Sequence, residues 1–166
     1  MNPEPKSGPM KSLRTVLLAG LTGGMAEVVW VTAYSAVNGV DGWQMAREIS
    51  AAVVPGWAQL AVAPLIGLGI HFLLSVLLAG AFTVALWIPY LRHRTAFAVM
   101  VAGPLTLAGV WAMNFLVILP ALHPAFVHLL PFPVSLGSKI LFGLAMSAVL
   151  RKRESVVVRS ASSIEQ

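Results

Sequence analysis

Residues 15–37 read TVLLAGLTGGMAEVVWVTAYSAV, an apolar stretch that contains a single charged residue, Glu27. A helix rises about 1.5 Å per residue, so about 20 apolar residues cross the hydrocarbon core of a bilayer. This stretch is long enough, and the basic residues Lys11 and Arg14 precede it. The charge within it favours a membrane span over a signal peptide, whose apolar region is short and uncharged.

The composition of the whole chain fits the same class of protein. Of its 166 residues, 58% are hydrophobic and only 10% are charged, whereas a soluble domain has about 25% charged residues. The absence of cysteine excludes disulfides, thiolate metal sites and a cysteine nucleophile. The net charge of +5 does not indicate nucleic-acid binding, because the basic residues stand at the ends of apolar segments.

Four apolar segments predict an all-α integral membrane four-helix bundle. The expected spans are residues 13–37, 60–90, 95–119 and 133–150, with a disordered tail at 1–12 and a cytoplasmic tail at 151–166. The distribution of Lys and Arg sets the orientation, because basic loops stay in the cytoplasm. One side of the predicted bundle carries Lys6, Lys11, Arg14, Arg92, Arg94, Arg151, Lys152, Arg153 and Arg159. The other side carries only Arg47, so both termini are predicted to be cytoplasmic, in a bacterial inner membrane.

A short amphipathic helix is predicted after the first span, over residues 42–54. Asp41 is a suitable N-cap, and Gln44 follows three residues later, as in a capping box. One apolar face recurs at helical spacing and consists of Met45, Ile49, Ala52 and Val53. We expect this helix to lie on the outer membrane surface, with Trp43 and Trp57 among the lipid headgroups.

Polar residues within the spans are the candidates for function. Ionisable groups at membrane depth are costly and usually face the bundle interior in pairs. Each span carries one candidate: Glu27, His71 and Lys139 are ionisable, and Asn114 is a neutral amide. Counting about 1.5 Å per residue puts all four in one layer of the outer half of the membrane. We therefore predict an ion pair between Glu27 and Lys139, or a hydrogen-bonded cluster that includes His71.

The same helix faces carry small residues, which let membrane helices approach closely. These stripes are Gly20, Gly23 and Gly24 in span one, Ala63, Gly67, Ser75, Ala79 and Thr83 in span two, and Ser135, Gly143 and Ser147 in span four. The polar layer can thus be structural, fixing helix register, or it can bind a ligand or relay protons. Asn114 is expected to make a hydrogen bond that packs two helices together.

A ligand site near His71 and Ser75 could also include His123 and His128 from the outer loop. With His71 below them, these two histidines could form a three-histidine metal site or supply an axial haem ligand. No acidic residue is near them in the sequence, however, and a spacing of five does not suit two ligands on one helix. We expect ordinary interfacial histidines, no metal site and no catalytic set.

The chain resembles a group of small bacterial four-helix inner-membrane proteins. The resemblance is carried by the Gly-rich first span (Ala19 to Gly24), by Ile70-His71 with Ser75, and by Met113-Asn114-Phe115 running to Pro124. It implies fold and topology but no activity. A histidine often stands in that group where this chain has Lys139, which puts a paired-histidine site in doubt here.

Three functional hypotheses follow from the sequence. The first is a non-catalytic subunit or accessory protein that packs in the bilayer against other membrane subunits or itself, for example in a respiratory complex. The second is a module that binds haem, a quinone or another small ligand near Glu27, His71 and Lys139. The third is an oligomeric transporter or proton-conducting protein that uses Glu27 and His71 as a relay.

Overall fold

A computed structural model describes residues 9–162, with side chains described for residues 13–153. The helices in chain order are α1 (Pro9–Asn38), α2 (Gly42–Val53), α3 (Ala63–Phe82), α4 (Ala96–Met113), α5 (Leu119–Leu122), α6 (Pro124–Val127) and α7 (Phe132–Ser162). A 3₁₀ turn spans Pro55–Gln59, and π-helical segments at Thr83–Leu91 and Asn114–Ile118 extend α3 and α4. No strand occurs in this described part of the chain.

Four of these helical stretches are long and apolar enough to cross a membrane, which confirms the predicted number of spans. They are Leu13–Asn38, Ala63–Leu91, Ala96–Leu122 and Phe132–Arg153. The protein is therefore an all-helical, multi-pass membrane protein.

Helices extend into both predicted tails. Residues 9–12, predicted as part of a disordered tail, begin α1, and α7 continues beyond residue 150 to Ser162. Residues 151–162 contain neither Gly nor Pro, so nothing in this segment interrupts the helix. The remaining tail residues, 1–8 and 163–166, lie outside the described residues.

The four spans pack in three pairs. Helix α1 packs against both α3 and α7, and α4 packs against α7. Helices α3 and α4 follow each other in the chain but do not pack along their lengths. The spans are thus arranged in the order α3, α1, α7, α4, with a seam between α3 and α4.

Glycines fix the crossings between these helices. A Cβ atom on Gly143 of α7 would lie 2.6 Å from the backbone nitrogen of Pro104 in α4, so the two backbones are in direct contact. A Cβ on Gly20 of α1 would similarly lie 2.5 Å from the Cα of Val76 in α3. These are the close approaches that small residues allow in membranes.

The apolar core lies toward one end of the spans. Its buried residues come from all four spans and include Ala19, Ala79, Phe82, Val99, Leu107, Phe142, Met146 and Leu150. Just beyond it, the guanidinium of Arg151 donates to the carbonyl oxygen of Arg94 at 3.1 Å. The basic turn after α3 and the basic end of α7 are therefore at the same end of the molecule.

Helix α2 forms at the predicted position but packs against α3. Asp41 accepts a hydrogen bond from the backbone N–H of Trp43 at 2.9 Å, which caps the helix. Ser50 is fully buried and donates to the carbonyl oxygen of Ala63 at 2.5 Å. Gly67 permits this contact, because a Cβ there would collide with the carbonyl of Ala46.

Candidate functional site

A cavity of about 370 Å³ lies at the opposite end from the apolar core, and we call it the outer cavity. Helices α1, α2, α3 and α7 contribute to its wall, together with the Asn114–Ile118 segment and α6. Most of the wall is apolar. The polar side chains that line it are Glu27, Thr32, His71, Asn114, Ser135, Ser138 and Lys139. The four residues of the predicted polar layer thus come together around one space.

An ion pair between α1 and α7 forms the polar end of this wall. The Lys139 ammonium donates to Glu27 Oε1 at 2.5 Å, and the side chains are 18% and 12% exposed, respectively. Ser138 lies beside the pair, and its single hydroxyl hydrogen is shared between Glu27 Oε1 at 3.1 Å and the carbonyl oxygen of Ser135 at 2.7 Å. At this depth the two charges offset the cost of removing each other from water.

The ion pair leaves hydrogen-bonding capacity unused. Glu27 Oε2 is buried and has no hydrogen-bond partner among the described residues. An ammonium group carries three N–H donors, and Lys139 uses one of them on Glu27. A buried polar atom without a partner costs roughly 1–3 kcal/mol, so a further hydrogen bond to this carboxylate would be stabilising.

His71 also lines the outer cavity, but it does not join the ion pair directly. Its Nε2 lies 3.2 Å from the carbonyl oxygen of Gly24, which can only accept, so Nε2 donates. In the neutral ring Nδ1 is then an acceptor. Ser75, proposed as a ligand residue beside His71, is buried in the contact between α1 and α3. Its hydroxyl donates to the carbonyl oxygen of His71 at 2.8 Å, so Ser75 has a packing role.

Asn114 differs from its expected role. The sequence predicts a hydrogen bond that packs two helices. Instead, the side chain lines the outer cavity and makes no hydrogen bond to another described residue. It opens the π-helical segment, in which the N–H of Leu119 donates to the carbonyl oxygen of Asn114. Pro120, which follows, has no N–H and disfavours regular α-helix before it. Such π segments are frequent at functional sites.

The loop histidines are not brought to His71. His123 Nε2 lies 3.0 Å from Glu48 Oε2 of α2, and His128 is exposed. An acidic partner therefore comes from a distant part of the chain, which the local sequence did not show. Across the residues whose side chains are described, no three histidine or acidic groups are placed to hold a metal ion. The three-histidine arrangement is therefore not formed.

The contribution of α2 to this site was not predicted from the sequence. Its predicted apolar face, Met45, Ile49, Ala52 and Val53, lines the outer cavity and does not simply rest on lipid. The hydrophobic periodicity identified the face correctly, but periodicity does not specify what the face covers. Ser138 was also missed, since a serine in an apolar helix gives no signal of its own.

Comparison of the chain with protein-family models, with curated proteins and with solved structures gives no match in any of the three.

Proposed function

We propose that this protein binds a small lipid-soluble molecule in the outer cavity. The observation that carries the proposal is the combination of an apolar wall with an incompletely hydrogen-bonded ion pair in one cavity. Ligand sites are typically 300–1,000 Å³, mostly apolar, with a few convergent polar groups. At about 370 Å³, the outer cavity is of the size that suits a single small ligand.

The position of the core favours binding over conduction. A proton or ion path would have to continue from Glu27 to the other end of the spans. One to two turns beyond the ion pair, however, the helices are joined through buried apolar residues, among them Ala19 and Phe142. We therefore place the transporter hypothesis below ligand binding. A haem ligated by His71 would require Nε2 to give up its bond to Gly24, and an absorption spectrum of the purified protein tests for it.

The test uses the full chain in lipid vesicles and long-chain alkyl probes with a mid-chain diazirine. The probes end in a hydroxyl, a sulfate or a trimethylammonium group, and mass spectrometry locates the residues that are cross-linked on illumination. We expect at least one probe to label cavity residues such as Ile49 and Leu74 several-fold more than Leu105. Leu105 is a lipid-facing reference, because it lies on α4, is 66% exposed and does not line the outer cavity.

Two tryptophan variants provide the matched control. Ala52 is exposed and lines the outer cavity, so Ala52→Trp should fill the space and reduce cavity labelling. Ala61 is also exposed but does not line it, so Ala61→Trp should leave labelling unchanged. Labelling that is uniform over all exposed residues, or that Ala52→Trp does not reduce, would contradict the proposal.

An accessory-subunit role is the second candidate, and the seam between α3 and α4 favours it. Gly69 and Gly109 would meet no atom within 4 Å if they carried a Cβ, so small residues remain free on α3 and α4. Such positions allow a helix from another subunit to approach closely. Co-purification of a partner in mild detergent supports this role, and a monodisperse single chain argues against it.

We further propose the bacterial inner membrane as the location, with both termini in the cytoplasm. The support is the charge distribution, since Arg94 and Arg151 lie together at the end opposite the outer cavity. In this orientation the outer cavity lies in the half of the membrane away from the cytoplasm.

A further inference from the structure

The polar groups of the outer cavity carry no net charge when His71 is neutral. Glu27 and Lys139 are the acidic and basic groups in the wall, and they pair with each other. The neutral polar groups come from Thr32, His71, Asn114, Ser135 and Ser138. A charged ligand would add an unpaired charge to a largely apolar site, which is costly. A neutral headgroup avoids that cost.

The free hydrogen-bonding positions require a group that both donates and accepts. Glu27 Oε2 needs a donor, and the remaining N–H groups of Lys139 need acceptors. These positions are adjacent, because the ammonium of Lys139 lies 2.5 Å from the other oxygen of the same carboxylate. A hydroxyl group donates once and accepts twice, whereas a carbonyl, an ether or a sulfate only accepts and an ammonium only donates. Among these headgroups, only a hydroxyl serves both positions.

The wall of the outer cavity is open to the surroundings on the α3 side. Leu74 lines the cavity and is nevertheless 55% exposed. It lies on α3, which does not pack along α4, so α4 does not close the wall beside Leu74. A seam at membrane depth leads into lipid, and a ligand can enter from the bilayer without crossing water.

We propose that the ligand is an uncharged, hydroxyl-bearing amphiphile that enters from the bilayer through the α3–α4 seam. Its hydroxyl donates to Glu27 Oε2 and accepts from Lys139, and its apolar body lies against α2, Leu74 and Phe115. Long-chain alcohols, quinols and monohydroxylated polycyclic lipids share this chemistry. The inference rests on the proposed function, because it specifies the ligand of the same cavity.

The test compares headgroups on one alkyl chain with the diazirine at one position. The probes end in a hydroxyl, its methyl ether, a sulfate or a trimethylammonium group, and each is cross-linked to the full chain in vesicles. We expect the alcohol to label the outer cavity about tenfold more than each of the other three, where tenfold corresponds to about 1.4 kcal/mol. The methyl ether tests the contribution of the hydroxyl hydrogen alone, since it retains the acceptor oxygen and the apolar body of the alcohol.

Charge variants give a second readout that a purely structural ion pair would not produce. Glu27→Gln leaves the Lys139 ammonium unpaired, so labelling should shift to the sulfate probe. Lys139→Met leaves the carboxylate unpaired, so labelling should shift to the trimethylammonium probe. The double variant is neutral again and should lose both preferences. The double variant also covers the case in which a single variant fails to fold.

The outcomes separate the two proposals. Equal labelling of the cavity by all four probes, reduced by Ala52→Trp, overturns the hydroxyl inference but retains ligand binding. Preference of the unmodified protein for the sulfate or the trimethylammonium probe also overturns the hydroxyl inference and retains ligand binding. No preferential cavity labelling by any probe overturns both.

Discussion

Glu27 and Lys139 are separated by most of the chain and yet share one hydrogen bond across α1 and α7. Counting residues along each span was enough to predict that they lie at one depth, because the rise per residue of a helix is nearly constant. The unpartnered Oε2 of Glu27 could not be predicted, since it depends on rotamers and on Ser138. The role of Asn114 was also misjudged, and the π-helical segment that it opens was not predicted from the sequence.

The first prediction concerns the stability contributed by this pair. Removing one partner of a fully buried pair costs roughly 3–5 kcal/mol. Lys139→Met should cost about 2–3 kcal/mol, because the outer cavity leaves both side chains partly accessible. The double variant Glu27→Gln/Lys139→Met should lose less than half of that free energy of unfolding, since no unpaired charge remains.

The measurement is the free energy of unfolding in mixed micelles as sodium dodecyl sulfate is increased. The two single variants and the double variant form a cycle that isolates the coupling between the side chains. Strictly additive losses in the double variant would show that the pair contributes no coupling energy.

Among the helices, α2 shows that a helix and its apolar face can be predicted from the sequence while the surroundings of that face cannot. Its boundaries and its Asp41 cap follow from local chemistry, and both were predictable. Its surroundings were not, because the same apolar face is suited to a membrane surface and to a cavity wall. Gly67 on α3 determines how α2 packs, because it allows α2 to approach closely enough to cover the outer cavity.

The second prediction tests this contact with two glycines on α3. A Cβ at Gly67 collides with the backbone of Ala46, whereas a Cβ at Gly69 meets nothing within 4 Å. Overpacking costs about 1–3 kcal/mol, so Gly67→Ala should make amide exchange in α2 at least about fivefold faster. Hydrogen–deuterium exchange read by mass spectrometry follows the α2 peptides directly. Gly69→Ala is the control and should leave them unchanged, and equal exchange in both variants would refute the role of Gly67.

For the whole molecule, the number of spans was predictable and their packing was not. Composition and span length are strong signals, because a bilayer imposes a fixed thickness. The short turn between the second and third spans does not bring α3 and α4 together along their lengths. The structure instead pairs α4 with α7, because Gly103 and Gly143 allow those two backbones to touch.

The third prediction tests the orientation of the chain in the membrane. The sequence has no cysteine, so any introduced cysteine is unique. Gln59 is exposed in the 3₁₀ turn that precedes α3, and His93 is exposed in the basic turn between α3 and α4. A membrane-impermeant maleimide should label the Gln59→Cys variant in intact spheroplasts and the His93→Cys variant only after permeabilisation. The reverse pattern would place the basic turn outside and overturn the proposed topology.

The ion pair between the first and the last span also has a consequence for biosynthesis. Spans are made in order, so Glu27 enters the membrane while its partner, 112 residues further along the chain, has yet to be synthesised. Until α7 arrives, a carboxylate at membrane depth has no counter-charge from this chain, and the partial product is at its least stable. A polypeptide that stops before Lys139 keeps that defect permanently. The pair can therefore form only in molecules that contain both α1 and α7.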